Sequence, residues 1–187
     1  MGRWEPDARG RLGRAALELY LDPGYEQTTV ADIAARAGVT ERTFFRHFAD
    51  KREVLFAGSA AFQETVLDAI AAQPDGSTAF AVAAAGMDAA AAFIAGNPDP
   101  TFARRRAAVI AANASLQERE LLKLATVASA SATALTARGF EPEEAGIAAE
   151  AAMAAFRLAF ERWIASDGGL DLRELLAEGV ARFRSLA

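Results

Sequence analysis

The residues with chemical potential crowd into one stretch, Thr28 to Phe56. Arg42 stands two positions after Thr40, in the first turn of a short predicted helix running from Glu41 to His47. An arginine so placed can pair both acceptor atoms of a guanine edge at once. Thr43 beside it offers a hydroxyl and a methyl. Arg46, His47 and Lys51 suit phosphate oxygens. Lys51 also opens a further predicted helix, where backbone N–H groups attract anions, and Thr28 and Thr29 hold the equivalent place two helices earlier. Other chemistries find little material. The chain has no cysteine, which excludes disulfides, thiol nucleophiles and thiolate metal sites. Its one histidine, His47, has no clustered partners and makes no metal site. Carboxylates scatter over helix faces, and the pair Glu143 and Glu144 reads as a helix-dipole complement. No catalytic residues, metal or cofactor are expected.

These side chains need a scaffold that holds a short helix against a groove. Thr29 can cap a helix, with Asp32 three residues on. Val30, Ile33, Ala34 and Ala37 then share one face. Gly38 stands where that helix must stop, and glycine tolerates the left-handed geometry of a sharp turn. Thr40 caps the next helix, which Phe44 and Phe48 anchor inward. Asp50 with Glu53 makes a third capping pattern. Two short helices joined by a glycine turn form a helix-turn-helix, whose second helix lies in the major groove.

The rest of the chain is also helical by spacing. About nine helices are predicted, at 7–22, 29–37, 40–47, 50–72, 78–95, 99–112, 115–138, 142–166 and 171–186. The expected fold is all-α. A three-helix head over residues 1–50 would join, through a long fourth helix, a ligand-binding and dimerising bundle over 51–187. The chain has 187 residues, 52% hydrophobic and 24% charged, which is ordinary for a soluble globular protein. Net charge is -5, but residues 1–56 are balanced and carry two basic patches, Arg9 to Arg14 and Arg42 to Arg52. Such an edge can bind DNA on an acidic body. Charges interrupt every apolar run, so no membrane span is expected, and the lack of cysteine suits the cytoplasm.

The head resembles the tetracycline-repressor (TetR) family of bacterial regulators. The pattern that carries the resemblance is Leu12, Ala16, Leu19, Tyr20, Gly24, Tyr25, Thr29, Ile33, Ala34, Ala37-Gly38-Val39-Thr40, Thr43-Phe44-Phe45, His47-Phe48, Lys51 and Leu55. The resemblance implies a homodimer on a palindromic double-stranded DNA operator, released when a small-molecule effector binds the bundle. It implies DNA contacts at Thr29, Thr40, Arg42, Thr43, Phe45, Arg46, His47 and Lys51. Phe45 stands where the family often has tyrosine, so it packs against sugar or a thymine methyl instead of donating to a phosphate. Repressor is the expected sign; activator stays open, because sign depends on where the operator lies.

In the bundle, Phe62, Phe80, Met87, Phe93, Phe102 and Ile110 lie on apolar faces and are candidates either to line an effector pocket or to fill the core. Arg104, Arg105 and Arg106 read as a solvated face. Ala149, Met153, Phe156, Phe160 and Trp163 make one apolar stripe, and Leu172, Leu176, Val180 and Phe183 another. The stripes suit either a four-helix subunit contact or the intrachain core; the resemblance favours the dimer. A ligand displacing the linker-free helix 50–72 would then shift the heads.

Overall fold

Helix caps written into the sequence divide the chain. The computed structural model describes residues 7–166 and 169–186. Nine α-helices and no strand occur among them: α1 Ala8–Leu19, α2 Val30–Arg36, α3 Glu41–His47, α4 Ser59–Ala71, α5 Ala79–Ala95, α6 Phe102–Ala111, α7 Ala114–Ala137, α8 Pro142–Ala165 and α9 Leu172–Leu186. Asp7 opens α1 by accepting from the Gly10 N–H at 2.8 Å. Thr78 opens α5 by accepting from the Ala81 N–H at 3.3 Å. Pro142 begins α8, where its missing N–H costs nothing. Asp171 accepts from the N–H groups of Arg173 and Glu174 to open α9.

The helices form two compact units, Met1–Ser59 with Thr101–Glu120, and Ala60–Pro100 with Leu121–Ala187. The boundary differs from a division at residue 50, and α6 with the start of α7 belongs to the head. The core of the first unit shows why. Leu12, Leu17, Ile33, Phe44 and Val54 are buried there together with Val109, Ile110 and Leu116. The side of α6 that carries Val109 and Ile110 is therefore part of the head's interior.

The expected continuous helix 50–72 is interrupted. Asp50 accepts from the N–H groups of Arg52 and Glu53, but this opens only a 3-10 turn, Glu53–Phe56. Val54, Leu55 and Phe56 turn into the head core, and α4 begins afresh at Ser59. Burial of those three side chains, roughly 1.5–3 kcal/mol each, outweighs helix continuity. By length and composition alone the stretch Glu53–Ala71 is apolar enough to cross a membrane. Five of its apolar residues enter cores: Val54, Leu55 and Phe56 that of the head, and Val66 and Ile70 that of the second unit.

In the second unit α8 packs on α5 and α9. Val66, Ile70, Val82, Met87, Leu135, Phe156 and Leu176 make its core. Alanines on α5 and α8 let the helices approach closely. At Gly86 a Cβ would lie 3.0 Å from Cγ1 of Ile70 and 3.1 Å from Cγ1 of Val66, so α5 and α4 pack closely there and a larger residue would have to push those side chains aside.

Candidate nucleic-acid interface

The helix-turn-helix follows from its caps. The Thr29 hydroxyl accepts from the Asp32 N–H at 3.2 Å while the Asp32 carboxylate accepts from the Thr29 N–H at 2.9 Å, a reciprocal cap on α2. Gly38 turns the chain with φ 68°. Thr40 accepts from the Thr43 N–H at 3.2 Å and starts α3. Phe44, fully buried, and Phe48 pin the inner face of α3 to the head core.

The opposite face is open. Arg42, Phe45 and Arg46 are exposed at i, i+3 and i+4, and Phe45 is 56% exposed. The Phe45 ring rests edge-on against Phe44, which holds it in place. Among the described residues neither Arg42 nor Arg46 has an ion-pair or hydrogen-bond partner. Other arginines of the head are engaged. Arg36 pairs with Glu18 at 2.6 Å, Arg52 with Asp50 at 2.6 Å, and Arg9 stacks over Phe48. Thr40 and Thr43 flank this face, their hydroxyls 3.1 Å apart.

The remaining expected contacts are differently employed. Lys51 is turned inward. Its ammonium donates to the carbonyls of Tyr25 at 2.8 Å and Thr28 at 3.1 Å, reaches that of Glu26 at 3.4 Å, and sits 4.4 Å from the centre of the Tyr25 ring. Its own carbonyl accepts from the buried Tyr20 hydroxyl at 2.5 Å. Lys51 thus clips the chain after α3 to the loop before α2, and its donors are consumed there. Thr29 gives its hydroxyl proton to Asp32 at 2.6 Å, so it caps α2 and has none spare for a phosphate. That bond also holds the Asp32 carboxyl below the ordinary aspartate range. His47 is half-buried, and its Nε2 is enclosed with no hydrogen-bond partner, which closes that nitrogen to a phosphate. Burial pushes the Tyr20 hydroxyl pKa up, so it stays a donor.

Arg106 is a residue that periodicity missed. It does not belong to a solvated face. Its guanidinium donates to the Leu55 carbonyl at 2.8 Å and forks onto Glu120 at 3.1 and 2.7 Å, while lying 5.0 Å from the centre of the Phe56 ring. Nearby, Arg119 donates to Glu53. Both arginines grip the 3-10 turn that follows α3. A fixed guanidinium run in sequence carries no sign of such partners, because the carbonyl it meets is placed by tertiary packing.

The candidate effector residues separate. Phe102 and Ile110 belong to the head core and do not meet the others. Phe62, Phe80, Met87 and Phe93 lie in the second unit. Met87 is fully buried, Phe62 touches Phe93 and Phe156 edge-on or tilted, and Phe80 meets Phe183. The expected subunit stripes are also intrachain. Ala149, Met153, Phe156, Leu172 and Leu176 are buried in the chain's own core, and Phe160, Trp163, Val180 and Phe183 pack against it. Phe160, Trp163, Val180 and Phe183 stay partly exposed. The α8 face that does look outward carries Ile147 and Leu158, 65% and 56% exposed, with Ala151 and Ala154 between them.

A glycine-turned pair of short helices with free arginines on its outer face defines a helix-turn-helix protein. Residues 13–57 match the profile of a family described as bacterial regulatory proteins, tetR family. Over that segment, about a quarter of the chain, the protein is similar to the TetR family of regulators. Over 68 residues it is 50% identical to the HTH-type transcriptional regulator TcmR of Streptomyces glaucescens, a match spanning 36% of this chain and 30% of that relative. The fold is shared over nearly the whole chain with solved structures of low identity. One is FadR from Bacillus subtilis in complex with stearoyl-CoA, at 19% identity, TM-score 0.61 and coverage of 92% of this chain and 95% of that one. Another is NalD of Pseudomonas aeruginosa, the secondary repressor of the MexAB-OprM multidrug efflux pump, at 22% identity, TM-score 0.63 and coverage of 95% and 97%.

Proposed function

We propose that this chain is a cytoplasmic, sequence-specific DNA-binding transcriptional repressor that acts as a homodimer and leaves its operator when a small molecule binds the second unit. The observation that carries the DNA reading is the pair of partnerless arginines, Arg42 and Arg46, flanking exposed Phe45 on α3. In the groove Arg42 reads a guanine edge, Thr43 a neighbouring base, Phe45 a thymine methyl or sugar, and Arg46 a phosphate. Thr40 adds a contact at the start of the helix. The repressor sign is supported by NalD, a repressor of the same fold.

Dimerisation supplies two copies of α3 to one face of the duplex. The outward stripe of α8 fits an antiparallel pairing about a two-fold axis. Ile147 then opposes the partner's Leu158, and Ala151 opposes the partner's Ala154, so small residues at the centre let the axes approach. Ligand response is supported by FadR, solved with stearoyl-CoA. In this chain we assign the effector contact to Phe62 and Phe93, which are in ring contact within the second unit. The effector must prefer the state that fits DNA poorly, since equal affinity for both states shifts nothing.

The experiment is selection of random duplexes by the purified protein, followed by titration at two salt concentrations. An enriched palindrome bound by two chains, with affinity falling steeply with salt, is the expected result. Binding without sequence preference refutes the reading.

A further inference from the structure

The helix-turn-helix stretch, Thr28 to Phe56, holds four acids, and three of them are committed. Asp32 closes the cap on α2. Asp50 caps the turn after α3 and holds Arg52. Glu53 receives Arg119. The fourth, Glu41, is the first residue of α3, exposed and without a hydrogen-bond or ion-pair partner among the described residues. Nothing local requires it. Thr40 already caps α3 by accepting from the Thr43 N–H. A helix of seven residues also sums few peptide dipoles for a carboxylate to complement.

Such a carboxylate is costly on a surface that faces DNA, because it repels the phosphates whatever the sequence. That cost is offset only where it meets a donor on a base edge. An ionised carboxylate accepts and cannot donate, whereas a guanidinium donates and cannot accept. In the major groove guanine shows two acceptors, thymine an acceptor and a methyl, and adenine a donor beside an acceptor. Cytosine alone shows a donor with no acceptor on the same base. Glu41 and Arg42 therefore complement opposite bases, cytosine and guanine. Consecutive Cα atoms lie about 3.8 Å apart, close to the roughly 3.4 Å between successive base pairs, so the two side chains meet neighbouring pairs.

We infer that Glu41 is a specificity-determining residue: it accepts from the N4 amino group of a cytosine at the base pair next to the guanine assigned to Arg42, and its charge penalises duplexes that lack that cytosine. The inference rests on the DNA-binding reading above and adds to it a residue, a base and an electrostatic filter.

The test repeats the duplex selection with the parent protein, Glu41→Ala and Glu41→Gln. Titrations follow with the selected operator, with the operator in which that cytosine is thymine, and with an unrelated duplex. The parent should enrich a palindrome with a cytosine beside the guanine in each half-site. It should prefer cytosine to thymine there by about fivefold or more, the lower end for one good base contact. Glu41→Ala should lose that preference, keep the guanine, and bind the unrelated duplex about twofold tighter than the parent or more, since a charge that repels phosphates is gone. Glu41→Gln, which offers a donor and an acceptor, should move the preference towards adenine. A carboxylate that only supports α3 behaves otherwise: both variants would select the parent's sequence and bind every duplex more weakly in equal proportion. That result overturns the inference, and so does a cytosine preference that survives Glu41→Ala. A parent that enriches no sequence brings down the regulatory reading and this inference together. A parent palindrome left unaltered in both variants brings down this inference alone.

Discussion

Replacing Lys51 with methionine separates two roles for one residue. Methionine keeps the stem and removes the ammonium. In the structure the lost group makes two good hydrogen bonds, to the carbonyls of Tyr25 and Thr28, and a third long one. Hydrogen bonds from a charged donor contribute about 1.5–3 kcal/mol each when well formed. The ammonium over the Tyr25 ring adds about 0.5–1 kcal/mol at a partly exposed site. Freeing the side chain returns about 1.5–2 kcal/mol of rotamer entropy, and water re-solvates part of the carbonyls. The net cost of Lys51→Met is therefore about 2–4 kcal/mol of head stability. Urea denaturation, followed by the near-ultraviolet signal of Tyr20 and Tyr25, measures it. A phosphate-binding lysine would behave otherwise. Its loss would leave stability within about 0.5 kcal/mol, the usual range for surface changes, and would reduce the salt slope of DNA binding by about 0.9. Unchanged stability with a reduced slope refutes the inward assignment of Lys51.

Arg42→Ala should cost about 1–3 kcal/mol of specific DNA affinity and relax base preference at one position of each half-site; repeating the duplex selection with the variant checks it, and unaltered preference refutes it. Arg106→Met should destabilise the head by about 2–4 kcal/mol, because it strands Glu120 and the Leu55 carbonyl in a site where the arginine side chain is only 19% exposed. The double variant with Glu120→Leu should cost less than the sum of the two single changes, which a double-mutant cycle in urea reads directly. Leu158→Glu should turn the proposed dimer into monomers at micromolar concentration in sedimentation velocity, with the fold kept. The Arg52 guanidinium, followed by the capping N–H groups, holds the Asp50 carboxyl below the ordinary aspartate range. Its folded pKa is thus lower than its unfolded one, so its contribution is complete above about pH 3.9 and is lost as pH falls through the lowered value. The stability gap between the parent and Asp50→Asn should be flat from pH 7 to 5 and shrink in more acid solution; a gap that widens on acidification contradicts this.

What the sequence discloses here is local, and what it withholds is tertiary. Thr29 with Asp32, Thr40 with Thr43, and Gly38 between them are legible because a cap needs only three residues of chain. Phe44 and Phe48 are legible because a four-residue spacing fixes one helix face. Lys51 and Arg106 are opaque because their acceptors are backbone carbonyls of distant segments, Tyr25 and Leu55, which have no side-chain signature. Phe102 and Ile110 show the same limit: spacing gives them an inward face but does not say into which of two cores. On α8 two apolar stripes coexist. Periodicity finds the richer one, from Ala149 to Trp163, and the richer one is the core. The poorer one, Ile147 to Leu158, is left outward.

Because α6 and the first turns of α7 close the head core, the order of synthesis matters. The segment that carries the family pattern, residues 13–57, emerges from the ribosome without Val109, Ile110 and Leu116, which cover it. At roughly 5–20 residues per second, the about sixty residues from Ser59 to Glu120 take on the order of three to twelve seconds to make. During that interval Leu12, Leu17 and Phe56 on the nascent head lack part of their cover. A fragment cut at Ser59 would stay in that state permanently, so the smallest self-sufficient version of this head is a two-piece one, with its second piece encoded after α5.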